Sequence, residues 1–298
     1  MKKVPKIIYS PEYEIDIGTH VFPTSKYRLI KEYLISNTIL EEKDFIEPEP
    51  ASVQSISKIH HRKYVNDIKK GTLSIADEIR LELPYSQELA HASFLCCGGT
   101  IKACEIAIDN GVGIHLGGGF HHAYPDHGEG FCVFNDVATG ALAVAAKRKK
   151  VLIVDCDLHQ GNGTAVCLKD NKDIFTFSMH QQNNYPLLKE ISGMDIALND
   201  GIGGDEYNKL LSDSLKKIKS EFSPDFVIYV AGSDTYVNDQ LGGLALTIDD
   251  MKDRDRIIVA ETVDCGISAA IVLAGGYAEQ IEDTVAIHSD TVITFLGI

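Results

Sequence analysis

Seven short runs in this chain are apolar at successive positions, with little of the alternation a half-exposed strand shows. They are Lys6–Tyr9, Gly111–Leu116, Val151–Val154, Ile174–Ser178, Asp195–Leu198, Phe226–Ala231 and Ala269–Ala274. A strand apolar on both sides must be covered on both sides, which is the condition of a parallel sheet between helical layers. The segments between supply the helices: Tyr27–Ser36, Ser52–Lys70, Ser86–Asn110, Asn135–Lys149, Asp205–Phe222 and Thr247–Cys265 carry apolar residues at helical spacing. Strands alternating with helices predict the α/β class, a parallel β-sheet flanked by helices. There is no repeat or low-complexity segment, and the acidic loop-like stretch Glu41–Ala51 comes too early to divide the chain. The 298 residues therefore read as a single domain, 1–298.

Chemistry-bearing residues follow four of the runs. Gly117-Gly118-Gly119-Phe120-His121-His122 comes after the second run, and Asp155-Cys156-Asp157-Leu158-His159-Gln160-Gly161 after the third. Gly232-Ser233-Asp234 follows Phe226–Ala231, and Gly275-Gly276-Tyr277 follows Ala269–Ala274. In an open α/β sheet ligands bind beyond the carboxyl ends of the strands, so residues distant in sequence can meet there. Asp155, Asp157 and His159 occupy alternate positions and share one face for as long as the chain stays extended.

The formal net charge of −15 excludes phosphate backbones as natural partners, so no nucleic acid is expected. The seven cysteines form no Cys-x-x-Cys pair and fall mostly in apolar runs, as small buried side chains do. No window has the roughly 20 apolar residues of a membrane span, and no apolar leader follows the N-terminal lysines. The expected compartment is the cytoplasm.

Taken as ligands, Asp157, His159 and Asp234 form a mixed carboxylate–imidazole set that suits Zn²⁺ or Fe²⁺. Such a metal polarises a carbonyl and makes a water easier to deprotonate. Of the adjacent His121 and His122, one would serve as general base and the other as acid or electrostatic element. Tyr277 can donate a hydrogen bond to a developing oxyanion. The assembled chemistry is metal-assisted hydrolysis of an amide or similar acyl compound.

These motifs, in this order, resemble the histone deacetylase family of the arginase–deacetylase fold, most closely its bacterial and class IV-like members. The resemblance also runs through Phe22-Pro23-x-x-Lys26-Tyr27, Gly128-Glu129-Gly130-Phe131-Cys132-Val133-Phe134-Asn135-Asp136 and Leu273-Ala274-Gly275-Gly276-Tyr277. It implies a three-layer α/β/α architecture and a zinc-dependent amidohydrolase that removes an acetyl or other acyl group from a lysine side chain or similar amine. It assigns zinc to Asp157, His159 and Asp234, the base to His122, and carbonyl polarisation to Tyr277. Gly130, Phe131, Tyr185, Gly275 and Gly276 would belong to the acyl-lysine tunnel. Asp155 would stand behind the histidines and, with Ser178, help hold a structural K⁺. The implied partners are an acylated lysine peptide or protein, or a small acylated amine.

Two positions depart from the commoner family pattern: Gln160 replaces a histidine and Asn162 an aspartate. Asn162 would orient His122 through a neutral amide and raise its basicity less. Against the binuclear arginase pattern, Gly161 and Tyr236 stand where two carboxylates are needed, which favours one catalytic metal. Three substrates remain in view: acetyl-lysine, acetylpolyamine and long-chain acyl-lysine. The reading from another class is a catalytically weak module that binds an acylated ligand.

Overall fold

A computed structural model of the chain describes residues 6–147 and 149–298. The seven apolar runs become β1 (Ile7–Ile8), β3 (Val112–His115), β4 (Val151–Asp155), β5 (Ile174–Gln181), β6 (Met194–Leu198), β7 (Phe226–Val230) and β8 (Ser268–Val272), and an eighth strand, β2 (Phe45–Ile46), joins them. All pair in parallel, in the order β2-β1-β3-β8-β7-β4-β5-β6. The helices are α1 (Lys26–Asn37), α2 (Val53–Ile56), α3 (Arg62–Lys70), α4 (Ile75–Leu81), α5 (Gln87–Asn110), α6 (Asp136–Ala145), α7 (Asn162–Leu168), α8 (Gly204–Phe222), α9 (Ile248–Glu261) and α10 (Ile281–Leu296).

Two apolar cores lie on opposite faces of the sheet, and β4 divides its side chains between them. Val151 and Ile153 join the core with Ala103, Ala107, Val137 and Ala141 of α5 and α6. Leu152 and Val154 join the core with Leu211, Leu215, Ile258 and Val292 of α8, α9 and α10. Because successive strand residues point to opposite faces, only a sequence apolar at every position can satisfy both layers. The three-layer α/β arrangement is thus the one the runs require. β6 is the exception: it closes one edge, and only Leu198 of its five residues is buried.

The differences from the sequence reading are local. The Glu41–Ala51 stretch, read as loop, contains β2, two residues paired with β1 at the other edge of the sheet. So short an edge strand among Glu and Pro residues carries no strand pattern of its own. The helix expected over Ser52–Lys70 is broken into α2 and α3. His60 turns inward at the break, where Nδ1 lies 2.8 Å from the Tyr124 carbonyl and Nε2 accepts from Asn135 N–H at 2.9 Å. The expected Asn135–Lys149 helix ends at Ala145, and Arg148 lies outside the described residues. Helices α4, α7 and α10 were not anticipated. Five of the seven cysteines are buried, and all seven are free thiols.

Candidate active site

The four strands whose ends carry chemistry are neighbours in the sheet, β3-β8-β7-β4. The loops after them therefore open side by side. Asp157 and His159, after β4, meet Asp234, after β7; one ligand atom from each lies within 4.8 Å of the others, and all three residues are buried. His159 Nδ1 is 3.2 Å from Asp157 Oδ1 and 3.1 Å from Asp234 Oδ2. Backbone donors hold the outer carboxylate oxygens: Gly275 N–H reaches Asp157 Oδ2 at 2.9 Å, and Leu158 N–H reaches Asp234 Oδ1 at 2.8 Å. A glycine is required at 275, since a Cβ there would stand 2.5 Å from Asp234 Oδ2 and 2.6 Å from Asp157 Oδ2.

Asp155 lies outside this trio. The strand ends at Asp155, so the alternation that would have aligned it with Asp157 and His159 ends there too. Its Oδ2 instead faces His121 Nδ1 at 2.7 Å, while Oδ1 accepts from Asp157 N–H at 3.1 Å. Ser178 sits opposite Asp155 in the β4–β5 register, with Oγ 3.0 Å from His180 Nδ1. A side chain at Gly161 would collide with the Asp155 carboxylate, so that position has no room for a further acidic ligand.

The adjacent histidines converge, with Nε2 atoms 3.2 Å apart, because the glycine-rich loop after β3 turns both inward. Their environments drive them apart electrostatically. Burial works against charge on His121, but Asp155 and Asp157 outweigh it and lift its pKa to about 9. Burial, reinforced by His121 and His159, holds His122 well below the usual 6.5 and therefore neutral. His122 Nδ1 is 2.7 Å from Asn162 Oδ1, at the start of α7. In the Asp157–His159–Asp234 trio, burial and the neighbouring Asp157 raise the Asp234 carboxyl to about 7. For His159, burial opposes charge but Asp157 and Asp234 prevail and raise it to about 10. Two buried carboxylates thus share one positive partner, which is the demand a divalent cation meets.

A cavity of about 200 Å³ opens above this floor, walled by Phe131, Tyr185, Gly130, His122, His159 and Tyr277, with Glu82, Asn184 and Leu241 further along the lining. The Tyr185 ring stands edge-on to His122, with centroids 4.8 Å apart. Gly130, at φ +53°, keeps the wall open, since a Cβ there would meet His122 and Tyr185 at 2.8 and 3.0 Å. Tyr277 is tied through its N–H to Asp239 Oδ2 at 2.7 Å, and burial pushes its phenol well above its usual 10. Gly275 faces the carboxylates and lines a smaller inner cavity, whereas Gly276 packs against Ser233 and His288 behind them.

Several residues that shape the site carried no role in the sequence reading. Lys26 is fully buried behind the Tyr277 loop, donating to the Ala274 carbonyl at 2.5 Å with its ammonium 5.5–6.0 Å from the ring centres of Phe22, Tyr27 and Tyr277. Burial lowers its pKa to about 8. Glu129 receives Asn162 Nδ2 at 2.7 Å and Tyr185 Oη at 2.9 Å. Its one sequence signal was a charged residue held between two glycines. The His20–Pro23 segment packs against the cavity wall, with the His20 and Phe131 ring centroids 4.7 Å apart. His91 instead pairs with Glu12 at 3.3 Å and lines a separate groove.

Fold and site together define an arginase–deacetylase-type α/β protein. The family profile for the histone deacetylase domain matches residues 20–292. An uncharacterized protein of Picosynechococcus is 35% identical, covering 95% of each chain. Histone deacetylase 2 of Arabidopsis thaliana is 30% identical over 94% of this chain and 76% of its own, and the acetoin utilization protein AcuC of Bacillus subtilis 27% over 91% and 76%. In fold, a crystal structure of an HDAC homolog complexed with SAHA superposes at a TM-score of 0.85 with 22% identity, covering 99% of this chain and 84% of that one. The HD domain of HDA15 superposes at 0.81 with 24% identity, covering 99% and 88%. The chain belongs to the histone deacetylase family and is a hydrolase of that family. Among the described residues no helix is long and apolar enough to cross a membrane.

Proposed function

We propose that the protein is a zinc-dependent deacylase that cleaves a short acyl group, acetyl above all, from a lysine side chain in a polypeptide. The observation that carries this reading is the buried Asp157–His159–Asp234 cluster at the floor of a slender cavity, with His121, His122 and Tyr277 around it. Two carboxylates and an imidazole within 4.8 Å fit Zn²⁺ as a donor set, with charge enough to neutralise it. Zinc, when bound, would polarise the acyl carbonyl and make water easier to deprotonate.

The protein's own groups supply the rest. Neutral His122 takes the proton from the attacking water at Nε2 as the oxygen adds to the carbonyl carbon. The Tyr277 hydroxyl donates to the oxygen on which charge develops. His121, positive and tied to Asp155, stabilises that charge. The departing nitrogen takes up a proton from the histidine pair as the C–N bond breaks, giving a carboxylate and a free amine. Phe131 and Tyr185 hold the alkyl stem of the lysine between them, and Glu82, on the cavity wall, offers a carboxylate toward the cationic surroundings of the substrate. The oxygens of Asp155 and Ser178 are hard donors suited to a structural K⁺.

Two features support the choice of substrate. The inner cavity behind the floor holds about 30 Å³, space on the order of one or two waters, which suits acetyl better than a long chain. Leu187, Leu188 and Ile191 follow Tyr185 closely, and Ile75 and Ile79 precede Glu82; all five are exposed. A polypeptide can cover such residues, whereas a polyamine offers them nothing.

The test is a panel of acetyl-lysine peptide, acetylpolyamine and long-acyl peptide on zinc-reconstituted protein, with a hydroxamate as inhibitor. The acetyl peptide should be cleaved best, and Tyr277→Phe should lower kcat by about 10²–10³-fold. No product from any acylated amine, or a Tyr277→Phe variant as active as wild type, would refute the reading. Tight binding of the peptide without product would point to the binding module instead.

A further inference from the structure

Asn162 presents a problem that an aspartate would not. A side-chain amide can turn either its oxygen or its NH₂ toward His122, and the two orientations select opposite tautomers of the imidazole. With the oxygen toward Nδ1, His122 carries its proton on Nδ1 and keeps the Nε2 lone pair for the site. With the NH₂ toward Nδ1, the proton moves to Nε2 and the base is lost. Substituting an amide for the carboxylate behind a catalytic histidine has this effect in serine proteases.

In this protein the amide is not free to choose. Asn162 Nδ2 lies 2.7 Å from Glu129 Oε1 and 3.3 Å from the Tyr124 hydroxyl. An ionised carboxylate only accepts, so Glu129 demands the NH₂ end and leaves Oδ1 facing His122 Nδ1 at 2.7 Å. The carboxylate is itself held in place: Tyr185 Oη donates to Oε1 at 2.9 Å, and His127 Nε2 lies 3.3 Å from Oε2. Half-burial works against its charge, yet the donors from His127, Tyr185 and Asn162 prevail and keep its pKa below the usual carboxylate range.

We propose that Glu129 is a positioning residue for the general base: through Asn162 it locks His122 in the Nδ1–H tautomer and supplies, one residue removed, the carboxylate that the position of Asn162 lacks. The relay His122–Asn162–Glu129 does by geometry what a histidine–aspartate pair does by charge. This rests on the deacylase reading for its kinetic consequence but not for its structural one, and the test separates the two.

The structural arm is ¹⁵N NMR of the histidine rings in zinc-free and zinc-loaded protein. Wild type should show His122 protonated at Nδ1 and bare at Nε2, and Glu129→Ala should populate the opposite tautomer. The kinetic arm is a double-mutant cycle on the acetyl-lysine peptide. Glu129→Ala should lower kcat by about 10–100-fold with KM within threefold, and Glu129→Gln, which keeps an acceptor oxygen but can itself flip, should fall between. In the Asn162→Asp background, where both side-chain oxygens accept, Glu129→Ala and Glu129→Gln should each cost less than threefold. Melting temperatures identify any variant that fails to fold, and Glu129→Gln carries the test if Glu129→Ala does not fold. An unchanged tautomer in both Glu129 variants overturns the inference, as does an equal loss of kcat in both backgrounds. A tautomer switch in a protein that deacylates nothing would sink the functional reading and leave the positioning role standing.

Discussion

One methyl group at Gly275 should separate metal binding from folding. An alanine Cβ would sit 2.5 Å from Asp234 Oδ2 and 2.6 Å from Asp157 Oδ2, where ordinary contact begins at 3.4 Å. Each oxygen would have to retreat by roughly 0.8–0.9 Å, several times the ~0.2 Å tolerance of a metal–ligand distance. Neither carboxylate can move without cost, because Asp157 Oδ2 accepts from Gly275 N–H at 2.9 Å and Asp234 Oδ1 from Leu158 N–H at 2.8 Å. Gly275→Ala should therefore weaken zinc binding by at least about 100-fold, or about 2.7 kcal/mol. The measurement is competition for zinc against a chromophoric chelator, alongside thermal unfolding of the metal-free protein. Gly201→Ala is the control: φ there is +74° and a Cβ meets nothing within 4 Å. It should cost about 1–2 kcal/mol of stability through backbone strain and leave zinc affinity unchanged. A Gly275→Ala protein that binds zinc within threefold of wild type would refute the reasoning.

Two further predictions concern stability. Burial holds His115 neutral, with a pKa of about 3, between the Thr100 hydroxyl at 3.0 Å and the Tyr13 hydroxyl at 2.8 Å. The unfolded chain takes up this proton below about 6.5 and the native state does not, so stability is lost as pH falls through that window. From pH 7 to pH 5 wild type should lose about 2 kcal/mol more than His115→Gln in urea titrations, and equal slopes would contradict a buried neutral imidazole. Arg254, fully buried, donates to the Gly232 carbonyl at 2.7 Å and pairs with Asp255 at 3.2 Å. Arg254→Met strands the buried Asp255 and should cost about 3–5 kcal/mol, read as a lowered unfolding midpoint; an unchanged midpoint would show that the pair contributes nothing net.

How far the sequence could be read depends on what each residue's role required. The sheet was legible because burial on both faces leaves no position free to be polar, so composition alone marks β3, β4, β7 and β8. Strand β2 was not, because two edge residues bury too little to impose a pattern. The burial of Glu129 and Lys26 had no local signal, since burial of a charged side chain is set by what packs over it and not by its chain neighbours.

The candidate site divides the same way. Sequence by itself determined which residues stand at strand ends, and therefore that His121, His122, Asp157, His159, Asp234 and Tyr277 could meet. Tertiary structure alone decided the strand order, which makes β3, β8, β7 and β4 neighbours and brings Asp234 to Asp157. It also decided that Asn162 is backed by Glu129, and which histidine takes Asp155, whose place behind the pair the resemblance already implied: Oδ2 faces His121. Alternation along a strand is a local rule that holds only while the backbone is extended. Which acceptor an amide or imidazole faces across a loop is settled by packing between segments far apart in the chain.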